Sequence, residues 1–179
     1  MTEDYRDGPP RAALIAALAV AATAVVGLLV VAAVRQTPPR PAPVAIAASP
    51  APDADADACH TLLAELPDAL GNYHRAEAVE PVPAGAAAWQ GDGAADPVIL
   101  RCGLQRPDDF VVSSPLQVVD DVSWFRIGDE GRTTWVAVDR PVYVALTLPD
   151  GSGPTPIQLI SGAVTKAMPA VKPNPGTVR

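Results

Sequence analysis

The stretch TTWVAVDRPVYVALTLPDGSGPTPIQLISGAVTKA, residues Thr133–Ala167, decides the fold. Within it, "PVYVALTL" sets Val142, Val144, Leu146 and Leu148 on one face and Tyr143, Ala145 and Thr147 on the other, the period of a strand covered on one side. "TTWVAV" alternates in part, and the short "DRP" link reads as a hairpin connection. Past the breakers of "PDGSGPTP" the period changes: Ile157, Leu159, Ile160, Ala163, Val164 and Ala167 suit an amphipathic helix that Pro169 ends. A hairpin followed by a helix that can lie on it predicts an antiparallel sheet with one face covered.

Toward the N-terminus, "VSWFRI" with its "GDEG" turn and the apolar run "PVILRCGL" add strands, while "AVEPVPAGAAAWQGDGAADP" reads as a loop. Leu62, Leu63, Leu66 and Leu70 in "DACHTLLAELPDALGNY" fall on one helical face, with Asp57 placed to cap the start and Gly71 the end. Pro67 interrupts that face, since an internal proline forfeits a hydrogen bond at a cost of about 3 kcal/mol, so the helix is expected to stop near Leu66. The expected fold class is α+β: a single N-terminal transmembrane helix, then a small antiparallel sheet of about four strands flanked by an N-terminal and a C-terminal helix. That domain is expected over residues 58–170, with a disordered tail at 171–179.

The chain has 179 residues and 49% hydrophobic content, but many of its apolar residues lie in "AALIAALAVAATAVVGLLVVAAV", Ala12–Val34, between Arg11 and Arg35. At 1.5 Å per residue this uncharged run is long enough for about 30 Å of hydrocarbon. It exceeds the apolar region of a cleaved signal peptide, although "AIAAS" beyond it offers a small-residue processing site. The reading is a signal anchor over 12–34, with residues 1–11 as a short cytoplasmic tail. The flanking arginines balance, so orientation rests on where the foldable sequence lies: all of it follows the span, which places the domain outside the cytoplasm. Residues 35–57, rich in proline, alanine and aspartate, read as an extracytoplasmic linker.

A net charge of -7 and a pI near 4.6 exclude nucleic acid as the main partner, because such binding needs a basic patch that releases counterions. The two cysteines, Cys59 and Cys102, are expected to be joined in an oxidising compartment. Closing a loop of about 43 residues contributes about 4 kcal/mol on the loop-entropy account. A redox role would want a close Cys-x-x-Cys pair, which is absent.

The cysteine followed by "HTLLAELP", the tryptophan loop before "DPVILRCG", the "VSWFRI" strand and "TTWVAVDRPVYVALTLP" leading into a helix together resemble the actinobacterial domain-of-unknown-function family 3515. The resemblance covers roughly residues 58–168 and the preceding anchor. It implies a membrane-anchored or secreted envelope protein, and it carries over no catalytic residue.

Each chemical motif has a plainer reading beside it. Asp53, Asp55 and Asp57 lack the glycine turn and closing carboxylate of a calcium loop. His60 and His74 have no zinc-type spacing around them, so no metal and no cofactor is expected. "SSP" and "ISG" are not nucleophile elbows, and "GDGAADP" lacks the lysine of a phosphate loop. Asp108/Asp109 and Asp120/Asp121 are adjacent, so in extended chain each pair points to opposite faces. Trp89, Trp124 and Trp135 fit either a core or a ligand groove. Asp139 and Arg140, expected at an exposed hairpin tip, and Trp89 make up the candidate binding surface. The functional expectation is a non-catalytic binding or accessory module of the cell envelope, held in the membrane by residues 12–34 and engaging an envelope protein or cell-wall component. An unrecognised envelope hydrolase and a small-ligand sensor are the alternatives.

Overall fold

Val144, Leu146 and Leu148 of the strand Tyr143–Pro149 are buried on one face, as their alternation requires. The computed structural model describes residues 11–35, 43–91, 96–129 and 131–177, and the chain divides into two units at Arg40/Pro41. The first unit holds helix α1 (Arg11–Arg35), whose span Ala12–Ala32 is long and apolar enough to cross a membrane and exposes its side chains throughout.

The second unit is an α+β domain built on an eight-stranded sheet. Strands β1 (Ala69–Leu70), β2 (Tyr73–Ala76), β3 (Ala86–Gly91) and β4 (Val98–Leu104) form one antiparallel meander. Strands β5 (Leu116–Val119), β6 (Val122–Asp129), β7 (Arg132–Ala137) and β8 (Tyr143–Pro149) form a second. Their order, β1-β2-β3-β4-β8-β7-β6-β5, puts the last strands of the two meanders side by side at the centre. Short connections therefore suffice within each meander, and residues 105–115 carry the chain from β4 out to the far edge at β5.

Helices α2 (Asp57–Glu65) and α3 (Thr155–Ala167) cover one face. Leu62 of α2 and Ile160 and Val164 of α3 meet Leu100, Trp124 and Leu146 of the sheet in the main core. Helix α2 gives way at Leu66, which is extended (ψ 133) because the ring of Pro67 disfavours helical backbone before it. The expected cap is not formed: Asp57 is already helical, and Ala56 occupies the cap position with no side-chain hydrogen bond. The disulfide Cys59–Cys102 is present, joining α2 to β4 with both cysteines fully buried.

Three expectations are corrected. The sheet has eight strands rather than about four, and β3 lies in the stretch read as a loop. Alanine is a weak strand former, so Ala86–Ala88 hides an alternation in which Ala87 and Trp89 face the helices while Ala88 faces away. Secondly, the linker does not stand clear of the domain from residue 43 onward: Val44 and Ile46 are buried against Ala76, Ala88 and Ile99 on the face without helices. Val44 also trades backbone hydrogen bonds with Glu77 and Val79, at 2.8 and 2.9 Å. Thirdly, the tail is tied down as far as it is described. Gly176 donates to Phe110 O at 2.8 Å and accepts from Val112 N at 3.1 Å, beside a third cluster formed around Phe110, Phe125 and Val136. The tail at 1–10, the start of the linker at 36–42 and residues 92–95 of "GDGAADP" lie outside the described residues.

The segment at 53–54 is seated by Gly103. This residue stands in a bulge of β4 with φ +82, where a Cβ would overlap Asp53 and Ala54, and its carbonyl accepts from Asp53 N at 3.0 Å. Only glycine tolerates both the backbone conformation and the approach.

Candidate functional site

Asp139 and Arg140 follow β7, and their position in a link between strands suggested exposure. The structure overturns that: Asp139 is 8% exposed and Arg140 5%. Arg140 folds back into the domain, where Nη1 pairs with Asp139 Oδ1 at 2.9 Å and Nη2 donates to Asp121 O at 2.9 Å. Asp139 Oδ2 accepts from Ser123 N at 2.9 Å. Thr165 of α3 adds a hydroxyl that accepts from Arg140 Nη2 at 3.4 Å and donates to Asp120 O at 3.2 Å. A buried charge must be paired and hydrogen-bonded; both terminal nitrogens of Arg140 are engaged, while its Nε is buried with no hydrogen-bond partner among the described residues and Asp139 Oδ1 has only the ion pair. The pair thus fastens the β5–β6 turn to α3 from inside and presents no charged tip to solvent.

The tryptophans divide by the fate of the indole N–H. Trp89, the third residue of the expected binding surface, is fully buried and donates to Pro67 O at 2.9 Å, with the Arg75 guanidinium 4.8 Å from its ring. Burial lowers the Arg75 pKa, and nearby Asp68 works the other way. Trp124 is fully buried under α3 and donates to Ser161 Oγ at 3.0 Å. Trp135 of β7 is different: it is half-buried, and its Nε1 makes no hydrogen bond among the described residues.

Trp135 borders a groove of about 300 Å³ where the sheet runs out beyond the first turn of α3. Ile157 and Leu148 give it an apolar floor, and Gln117, Thr133, Asp150 and Ser152 bring polar groups to its rim. Arg126 of β6, exposed and paired across strands with Trp135, holds its guanidinium 6.0 Å from the indole centroid and 3.5 Å from Thr133 Oγ1. The next position on that face of β6 is Gly128, opposite Thr133, and the Arg126 guanidinium reaches over it, with Nη2 4.0 Å from where a Cβ would stand. The sequence offers all three tryptophans for core or groove and singles out Trp89, in the stretch read as a loop, for the binding surface; the structure buries Trp89 and puts Trp135 at the groove instead. On the other side of the β8–α3 loop a second groove, about 330 Å³, is lined by Asn72, Tyr73, Gly91, Gly151, Ser152 and Thr155.

The other titratable candidates stay apart. His60 on α2 and His74 on β2 are exposed, as are Asp53, Asp55 and Asp57 and the pairs Asp108/Asp109 and Asp120/Asp121. Among the described residues no group of three or more histidine, cysteine, aspartate or glutamate side chains is placed to hold a metal ion. Arg101, on the face without helices, donates to Ala47 O at 3.2 Å, and burial lowers its pKa.

A family model described as "Protein of unknown function" (DUF3515) matches residues 18–173. Nothing among curated proteins or solved structures matches the chain.

Proposed function

We propose, from the premise that the chain belongs to the DUF3515 family, that it is a membrane-anchored binding module whose domain works outside the cytoplasm as a non-catalytic part of the cell envelope. The observation that carries this reading is the span Ala12–Ala32 of α1, uncharged, apolar, of membrane-crossing length and with its side chains exposed. Such a surface is stable in hydrocarbon and costly in water. The disulfide supports the placement, since oxidising compartments maintain such bonds. The burial of Val44 and Ile46 supports retention of the anchor: a cut in "AIAAS" after Ala47 would remove both from the cluster they form with Ala76, Ala88 and Ile99.

The binding part of the reading rests on what lines the grooves. An indole, an amide and hydroxyls hold ligands, and the buried Asp139–Arg140 pair is committed to the fold. Cross-linking of the full-length protein in intact cells, followed by recovery from carbonate-washed membranes, tests the whole. An envelope component should be captured with the full-length chain in the membrane pellet. Release of the chain into the wash would refute the anchor, and turnover in a broad substrate screen would favour the hydrolase reading.

A further inference from the structure

We infer that the groove beside Trp135 is a saccharide subsite, in which a pyranose ring stacks on the half-buried indole while its hydroxyls pair with the rim. This deepens the binding-module reading and rests on it.

The contrast among the tryptophans is the first support. Trp89 and Trp124 are fully buried with their N–H groups bonded, whereas Trp135 borders a groove of about 300 Å³ and its N–H makes no hydrogen bond among the described residues. Burying the indole fully would require a partner for that N–H, and the described residues supply none. The second support is the mixture around it. The C–H bonds on one side of a pyranose carry partial positive charge and suit the negative face of an aromatic ring. The hydroxyls of the sugar both donate and accept, so they need both kinds of partner. Gln117 and Ser152 offer both, and Asp150 accepts. Arg126, exposed on β6 with its guanidinium 6.0 Å from the ring centroid, swings aside for a sugar to reach that face and then donates in pairs.

Other ligand classes fit less well. The net charge of -7 repels polyanions such as nucleic acid, and Arg126 beside the ring disfavours a cation on the same face. An apolar ligand would leave the polar rim unpaired.

The test uses the full-length protein in a detergent without a sugar headgroup, applied to a glycan array and titrated with chitotetraose and cellotetraose. At least one array glycan should bind, and binding should shield the half-buried Trp135 from acrylamide, since Trp89 and Trp124 are already inaccessible. Trp135→Ala should weaken that binding by about tenfold or more, and Trp135→Phe, which keeps a stacking face, by less. Gln117→Ala, on an exposed edge-strand residue, should weaken it by a few-fold with an unchanged melting temperature, which decides the matter if Trp135→Ala fails to fold. Absence of any bound glycan, or wild-type affinity in a folded Trp135→Ala protein, would overturn the inference. The binding-module reading has its own readout: a Trp135→Ala chain that still captures its envelope component, with no glycan bound by the wild type, sinks the subsite and leaves that reading standing.

Discussion

Arg140 donates through Nη2 to the backbone carbonyl of Asp121 at 2.9 Å, 19 residues earlier in the chain. The guanidinium thereby holds a turn in which Asp120 and Asp121 both adopt positive φ, 44° and 64°. Replacing Arg140 with methionine keeps much of the apolar stem and removes the charge, leaving Asp139 buried beside nothing but the Ser123 amide. Urea unfolding should show a loss of about 3–5 kcal/mol, the usual consequence of breaking a buried pair on one side. A loss below about 1 kcal/mol would mean the pair is solvated and contributes as surface pairs do.

The same turn offers a gain. Val119 pairs with Val122, so Asp120 and Asp121 form a two-residue hairpin loop of the kind that favours glycine at its second position. Asp121→Gly removes the left-handed strain of a Cβ and leaves the carbonyl for Arg140. Stability should rise by about 0.5–1 kcal/mol, read as a higher melting temperature.

Gly103→Ala tests the seating of residues 53–54 on β4. Its Cβ would overlap the Asp53–Ala54 backbone at a φ of +82, so either the segment lifts or the bulge shifts. The expected loss is about 2 kcal/mol or more, with increased proteolysis near Asp53. Cleavage there in the wild type, at the rate of the variant, would contradict the packing.

Alkali should destabilise the domain partly through Tyr143. Burial raises its pKa, with nearby Arg106 opposing, and the phenol donates to Asn174 O at 3.4 Å. A raised folded pKa means the unfolded chain ionises first, so the contribution is complete below about pH 10 and declines as pH rises through the folded value. Urea midpoints measured on both sides of about pH 10 should fall more steeply for wild type than for Tyr143→Phe. Equal slopes would show that the ring titrates as if free.

Residues with a strict alternation announced their places. Val144, Leu146 and Leu148 face the helices as read, and the helix from Thr155 to Ala167 buries Ile157, Ile160 and Val164. Strand β3 escaped because three alanines and a tryptophan carry little strand signal, and its partners lie nine or more residues away in sequence. Val44 and Ile46 escaped because proline-rich composition describes a chain's stiffness and says nothing of what it lies against. The site was the least legible part. Asp139 and Arg140 carried turn chemistry, yet the partners that bury them, Asp121 and Thr165, come from distant segments. What distinguishes Trp135 from Trp89 and Trp124 is an indole N–H with no hydrogen-bond partner among the described residues, a property of the folded domain alone.

The claim that the domain works outside the cytoplasm, held by α1, is tested most directly by alkaline phosphatase fused after Arg179 of the full-length chain, because the enzyme acquires its own disulfides only in an oxidising compartment. High activity in the carbonate-washed membrane fraction, lost when residues 12–34 are deleted, is the expected result. An inactive fusion, produced in full and recovered from the cytoplasm, would contradict it.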